Sequence, residues 1–178
     1  MSIATAASAA PERPGAATFK GNPLTLIGPA LRPGAQAPDF QAVGQDLSTV
    51  SLAAFRGKPL LISAVPSLDT PICDQQTRRF NEEAAKLPTL QILAISMDLP
   101  FAQKRWCGAA GITRVTTASD HRDASFARAY GVLIKELRLL ARSIFLVDAG
   151  GTLRYLEYVP EVASHPDYDA ALAAARQL

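Results

Sequence analysis

The strongest feature of the chain is Lys58 to Val65 (KPLLISAV), an uninterrupted apolar run. It is short enough for a strand and lacks the alternation of a half-exposed one, so it predicts a central strand covered on both faces. Thr89 to Ser96 (TLQILAIS) is again strand-like. Between them, Pro71 to Leu87 places Cys73, Thr77, Phe80, Ala84 and Leu87 at helical spacing and leaves Arg78, Arg79, Glu82, Glu83 and Lys86 for the other faces. Strand, amphipathic helix and strand make a βαβ unit with a right-handed parallel crossover.

The weaker patterns extend this frame. Pro100 to Cys107 predicts a second helix stopped at Gly108, Val115 to Thr117 a third strand, and Asp123 to Tyr130 a short third helix. Ser143 to Val147 and Thr152 to Tyr158 flank Asp148-Ala149-Gly150-Gly151, the mark of an antiparallel hairpin. A last helix starts near Pro166. Upstream, Thr18 to Gly28 predicts a hairpin turning at Gly21-Asn22-Pro23, and Leu52 to Phe55 one helical turn ended by Gly57. The sum is an α/β chain: a mixed central sheet flanked by helices, preceded by an N-terminal β-hairpin. Residues 1–17, Ala-rich with Pro11 and Pro14, read as a loose tail, and residues 18–178 as a single domain.

Composition narrows the function classes. Hydrophobic residues are 48% and charged residues 19%, an ordinary globular balance. A net charge of +2 with scattered basic residues argues against nucleic acid. No apolar run approaches the roughly 20 residues of a membrane-spanning helix. Arg13 follows the short N-terminal apolar stretch rather than preceding it, unlike a secretory signal, so a cytoplasmic location is expected. Two cysteines do not make a disulfide scaffold, and with His121 and His165 as the other strong ligand candidates a zinc site is not expected.

The cysteines sit at opposite helix ends. Thr70 is a suitable N-cap and Pro71 a suitable first residue, which puts Cys73 at N3, where unpaired amides favour a thiolate. Asp69 and Asp74 oppose that, so a cation is wanted, and Arg142 at the start of the Ser143 strand is the candidate. Cys107 precedes Gly108 at the negative end of its helix and is expected to be the less reactive. Gly108 and Gly111 leave its loop free to move. Either cysteine, Cys107 more readily than Cys73, is also compatible with plain packing on the apolar side of a helix, Arg142 with a structural ion pair, and Thr70 with a simple cap.

Pro66-Ser67-Leu68-Asp69-Thr70-Pro71-Ile72-Cys73 resembles the peroxidatic motif of peroxiredoxins: Pro, three residues, Thr, two residues, Cys. Asp98-Leu99-Pro100-Phe101-Ala102-Gln103 and Arg105-Trp106-Cys107-Gly108 are similar to the segment that carries the resolving cysteine in bacterial thiol peroxidases. Phe19-Lys20-Gly21-Asn22-Pro23, Ala129-Tyr130-Gly131-Val132, Leu140-Ala141-Arg142 and Pro166-Asp167-Tyr168 extend the resemblance over nearly everything after the tail. It implies a thioredoxin-like fold, Cys73 as peroxidatic and Cys107 as resolving cysteine. Thr70 would bond the sulfur and a peroxide oxygen, Arg142 would stabilise the thiolate, and Pro66 would shield the sulfenic acid. It further implies hydroperoxide substrates, thioredoxin as reductant, a homodimer, and no metal, haem or flavin. Two other readings use the same residues: a thioredoxin-like disulfide reductase, which lacks its Cys-x-x-Cys pair here, and a redox-responsive binding protein.

Overall fold

The computed structural model describes residues 10–178. Strands β1 (Glu12–Phe19) and β2 (Asn22–Ile27) form the first hairpin; β3 (Gln41–Gly44) and β4 (Thr49–Ser51) form a second, followed by a 3-10 turn at Leu52–Phe55. Then come β5 (Leu60–Ala64), α1 (Pro71–Ala84), β6 (Gln91–Ser96), α2 (Pro100–Ala110), β7 (Thr116–Ser119), α3 (Ser125–Ala129) and β8 (Leu133–Ile134). β9 (Ser143–Val147), β10 (Leu153–Tyr158) and α4 (Tyr168–Ala175) complete the order.

Seven strands make the central sheet in the order β10-β9-β5-β6-β7-β3-β4, and β1-β2-β8 make a separate small sheet. β5, β6 and β7 run parallel, whereas β9 joins β5, and β3 joins β7, antiparallel. All five β5 residues are buried because the strand is covered twice. Leu60, Ile62 and Ala64 face a core shared with α3 and the first hairpin, and Leu61 faces one shared with α1 and α4. Phe126, Tyr130 and Phe145 stack or meet edge to face in the first core, and Phe80 meets Tyr168 in the second.

Three local expectations are corrected. β1 begins at Glu12, inside the segment read as a loose tail, and pairs with β2 from Glu12↔Ile27 onward; residues 1–9 of that segment lie outside the described residues. The hairpin turns at Lys20-Gly21, both at positive φ (50° and 79°), and Asn22 and Pro23 belong to β2. Pro23 is tolerated because it faces Thr18, whose amide points outward to the Pro160 carbonyl (2.7 Å), so no ladder bond is lost there. Finally, α2 passes through Gly108 to Ala110, and Gly111 at φ 67° ends it.

Candidate active site

The loop leaving β5 and the start of α1 build the site. Val65 and the buried Pro66 follow directly on the C-terminal end of the central strand β5. Asp98, just after β6, then fixes the turn: its carboxylate accepts from Ser67 Oγ (2.7 Å), the Leu68 amide (2.7 Å) and Ser96 Oγ (2.8 Å). This anchor sets where Thr70 begins α1. The Thr70 carbonyl accepts the Asp74 amide at 3.0 Å, and Cys73 is the third helical residue, fully buried beside Val65, Leu68 and Trp106.

Thr70 does not cap the helix with its side chain, contrary to expectation. Its hydroxyl lies 2.8 Å from Cys73 Sγ and 3.1 Å from the Ser67 carbonyl. A hydroxyl carries one hydrogen, so bonding a thiolate and bonding Ser67 are alternatives. With a thiol, the S–H can donate to Thr70 while Thr70 donates to Ser67; with a thiolate, Thr70 turns its hydrogen to the sulfur.

Arg142 does reach the sulfur. The loop before β9 brings it under α1, 2% exposed, where Nη2 is 3.3 Å from Cys73 Sγ, Nη1 2.5 Å from Gln76 Oε1 and Nε 3.0 Å from the Val162 carbonyl. Gln76 is held in turn by Ser63 Oγ of β5, 2.7 Å from its Nε2. Among the described residues no carboxylate pairs with Arg142. A buried guanidinium with only neutral acceptors and one sulfur around it favours an anion at that sulfur.

The opposing charges are dealt with locally. Asp74 Oδ2 accepts Arg78 Nε (2.9 Å) and Oδ1 accepts Trp106 Nε1 (3.1 Å), so its charge is spent on neighbours. Asp69 is exposed to solvent.

Cys107 sits elsewhere. It is 7% exposed on the face of α2 against β7, its sulfur 3.8 Å from Thr117 Oγ1, which also accepts from Gln45 Nε2 at 2.7 Å. Burial pushes its thiol up, partly offset by the Thr117 hydrogen bond. The reason is not the one expected: the Cys107 carbonyl is not orphaned, since it accepts the Gly111 and Ile112 amides. Both cysteines are free thiols.

The structure thus brings Thr70, Cys73 and Arg142 together, holds Pro66 buried nearby in the same loop, and keeps Cys107 on a separate face of α2. Gln76 and Asp98 were not singled out from sequence. Gln76 carried a signal, a polar residue on the apolar stripe of α1; Asp98 carried none beyond its place in a family-like segment.

A family model described as Redoxin matches residues 32–172. A thiol peroxidase from Bacillus subtilis is 56% identical over 161 residues, covering 90% of this chain and 96% of that protein. One from Halalkalibacterium halodurans is 55% identical over 159 residues, covering 89% and 96%. Among solved structures, a peroxiredoxin-like protein from Aquifex aeolicus matches with TM-score 0.85 at 40% identity, covering 90% of this chain and 95% of that one. With the redoxin model spanning most of its length and full-length relatives above half identity, the chain belongs to the redoxin family, among its thiol peroxidases.

Proposed function

We propose that the chain reduces hydroperoxides through Cys73, with Cys107 as resolving cysteine and Thr70, Arg142 and Pro66 completing the site. The observation that carries this is the sulfur at the third residue of α1, with the Thr70 hydroxyl at 2.8 Å and, at 3.3 Å, a buried guanidinium that has no carboxylate partner among the described residues. The Cys73 thiolate attacks one peroxide oxygen, the O–O bond breaks, and the other oxygen leaves as water or an alcohol after taking a proton. Arg142 and Thr70 are placed to stabilise charge that moves from sulfur to the leaving oxygen, and they are held before reaction begins. Pro66, buried in the loop that leads to α1, is read as keeping bulk water off the sulfenic acid.

Cys107 then condenses with the Cys73 sulfenic acid, forming the disulfide and releasing water. An external dithiol, read here as thioredoxin, restores both thiols by exchange. A cytoplasmic setting suits such a cycle, because it depends on a reducing pool. Likeness to thiol peroxidases over nearly the whole chain supports a homodimer.

The test is a free-thiol count before and after one equivalent of an organic hydroperoxide. Wild type is expected to lose both thiols, Cys107→Ser its one, and Cys73→Ser none. Fast reaction of Cys73→Ser overturns the assignment.

A further inference from the structure

The proposed cycle requires Cys107 to reach a sulfur that its chain neighbour covers. Trp106 packs against Val65, Leu68 and Cys73, while Cys107 points to Thr117. Successive helical residues lie about 100° apart around the axis, so α2 as folded presents one of the two to Cys73 and not the other. The start of α1, the end of α2 or both must therefore unwind before the disulfide can form, and either movement parts Trp106 from Cys73.

What holds Trp106 in place comes from α1. Asp74 Oδ1 accepts the indole N–H at 3.1 Å and Oδ2 accepts Arg78 Nε at 2.9 Å. Arg78 Nη1 donates to the Ala110 carbonyl at 3.1 Å, and its guanidinium carbon lies 5.9 Å from the Trp106 ring centre. Asp74 and Arg78, one turn apart, so grip α2 at residues 106 and 110, on either side of Cys107. None of these contacts survives once residues 106–110 swing out. Further back, Gln103 Nε2 bonds Ser96 Oγ (3.0 Å) and the Ala118 carbonyl (2.9 Å), tying the first half of α2 to the sheet.

We propose that the Asp74–Arg78–Trp106 interlock is a positioning device that sets the fate of the Cys73 sulfenic acid; the inference rests on the peroxidase reading above. In one fate the Cys107 thiol attacks the Cys73 sulfur, an S–S bond forms and the sulfenic oxygen leaves as water. In the other the sulfenate attacks a second hydroperoxide, whose O–O bond breaks; Cys73 gains a second oxygen as sulfinic acid and an alcohol leaves. Disulfide formation needs the contact between α1 and α2 open. While α2 stays closed, the sulfenic acid waits in the peroxide-reactive geometry. Contacts made only in the closed state lower the open population, so the tighter the grip, the larger the share lost to sulfinic acid. Loss of one half-exposed, charge-assisted bond of this kind shifts such an equilibrium about five-fold.

Trp106 is the only tryptophan, so intrinsic fluorescence follows its departure directly. The experiment compares wild type, Arg78→Met and Arg79→Met in stopped-flow fluorescence with tert-butyl hydroperoxide, and counts Cys73 sulfinic acid by mass spectrometry under excess peroxide. Arg79 is the control: it is on the same helix and equally exposed (44% against 46%), but its partners are Asp169 at 3.0 Å and the Tyr168 ring, not α2. Arg78→Met also leaves the Asp74 carboxylate without its cation, so the fast oxidation phase is expected to slow modestly while Arg142 still faces the sulfur; the slow disulfide phase is expected to speed about five-fold and sulfinic acid to fall by a similar factor, with Arg79→Met like wild type. A wild-type slow phase and sulfinic yield in Arg78→Met, or an equal change in Arg79→Met, overturns the interlock and leaves the peroxidase cycle standing. A wild type that forms no disulfide removes the cycle itself, and the interlock with it.

Discussion

Replacing Arg142 by Met isolates the contribution of the buried cation. The substitution is nearly isosteric along the stem and removes the guanidinium that lies 3.3 Å from Cys73 Sγ. At that distance and an effective dielectric near 20, a full charge pair is worth about 5 kcal/mol, which sets the ceiling. Removing one preorganised donor from a reacting centre typically costs about 2.7–4 kcal/mol, or about 10²–10³ in rate. The second-order rate of Cys73 with hydroperoxide is therefore expected to fall about 10²–10³-fold. Stability moves by a separate amount, because losing donors to Gln76 Oε1 and the Val162 carbonyl is offset by no longer burying a cation. The assay is the fast phase of Trp106 fluorescence under pseudo-first-order peroxide, on protein whose circular dichroism and thermal melt show it folded. Arg142→Lys is expected to recover part of the loss, since an ammonium keeps the charge but not the three-pronged geometry. A folded Arg142→Met reacting within about three-fold of wild type, against the 10² expected, refutes the electrostatic account.

Thr70→Val is expected to slow the same phase about 10- to 100-fold with little change in Tm, because the hydroxyl bonds the sulfur and not an α1 amide; Thr70→Ser retains the rate. Asp98→Ala leaves three donors without their acceptor and is expected to cost about 2–3 kcal/mol of stability in a denaturant titration, with a slower fast phase as the Ser67–Leu68 turn loosens. Cys107, its thiol raised by burial, is expected to stay unlabelled by iodoacetamide at neutral and mildly alkaline pH while the fold is intact, and to label on unfolding; rapid native labelling at neutral pH contradicts the placement. The Glu161 carboxylate is lowered to about 2, first by the Ala163 amide and also by the Lys20 and Gly21 amides and the Thr18 hydroxyl, which tie the first hairpin to the loop after β10. A lowered carboxylate stabilises above its unfolded value near 4.5 and loses that contribution as pH falls toward about 2, so the Tm gap between wild type and Glu161→Gln is expected to close over that window. A gap independent of pH contradicts it.

The sequence was most legible where one physical signal dominated. β5 is an unbroken apolar run because both its faces are covered, and α1 is an apolar stripe with a Thr-Pro start, so the strand, the helix and the position of Cys73 on it were all readable. β3, β4 and β8 escaped notice because strands of two to four residues are too short to leave a period. The end of α2 was misplaced because Gly108 and Gly111 both suit a helix stop, and the choice rests on which backbone takes positive φ, a tertiary outcome. Arg142 at the sulfur could be suspected from the need for a cation, but the contact crosses 69 residues of chain and depends on β9 lying beside β5. The pairing of Asp74 with Arg78 and Trp106 was invisible for the same reason, and it weakens the opposition of Asp74 to the thiolate.

The claim on which all of this depends is that Cys73 is the sulfur that peroxide oxidises. Its most direct test is to treat Cys107→Ser with one equivalent of tert-butyl hydroperoxide in the presence of dimedone, which traps sulfenic acid, and to map the adduct by peptide mass spectrometry. A single adduct on the peptide bearing Cys73, formed at the rate of the fluorescence fast phase, is the expected result. An unmodified Cys73 in folded protein contradicts it and returns both cysteines to packing.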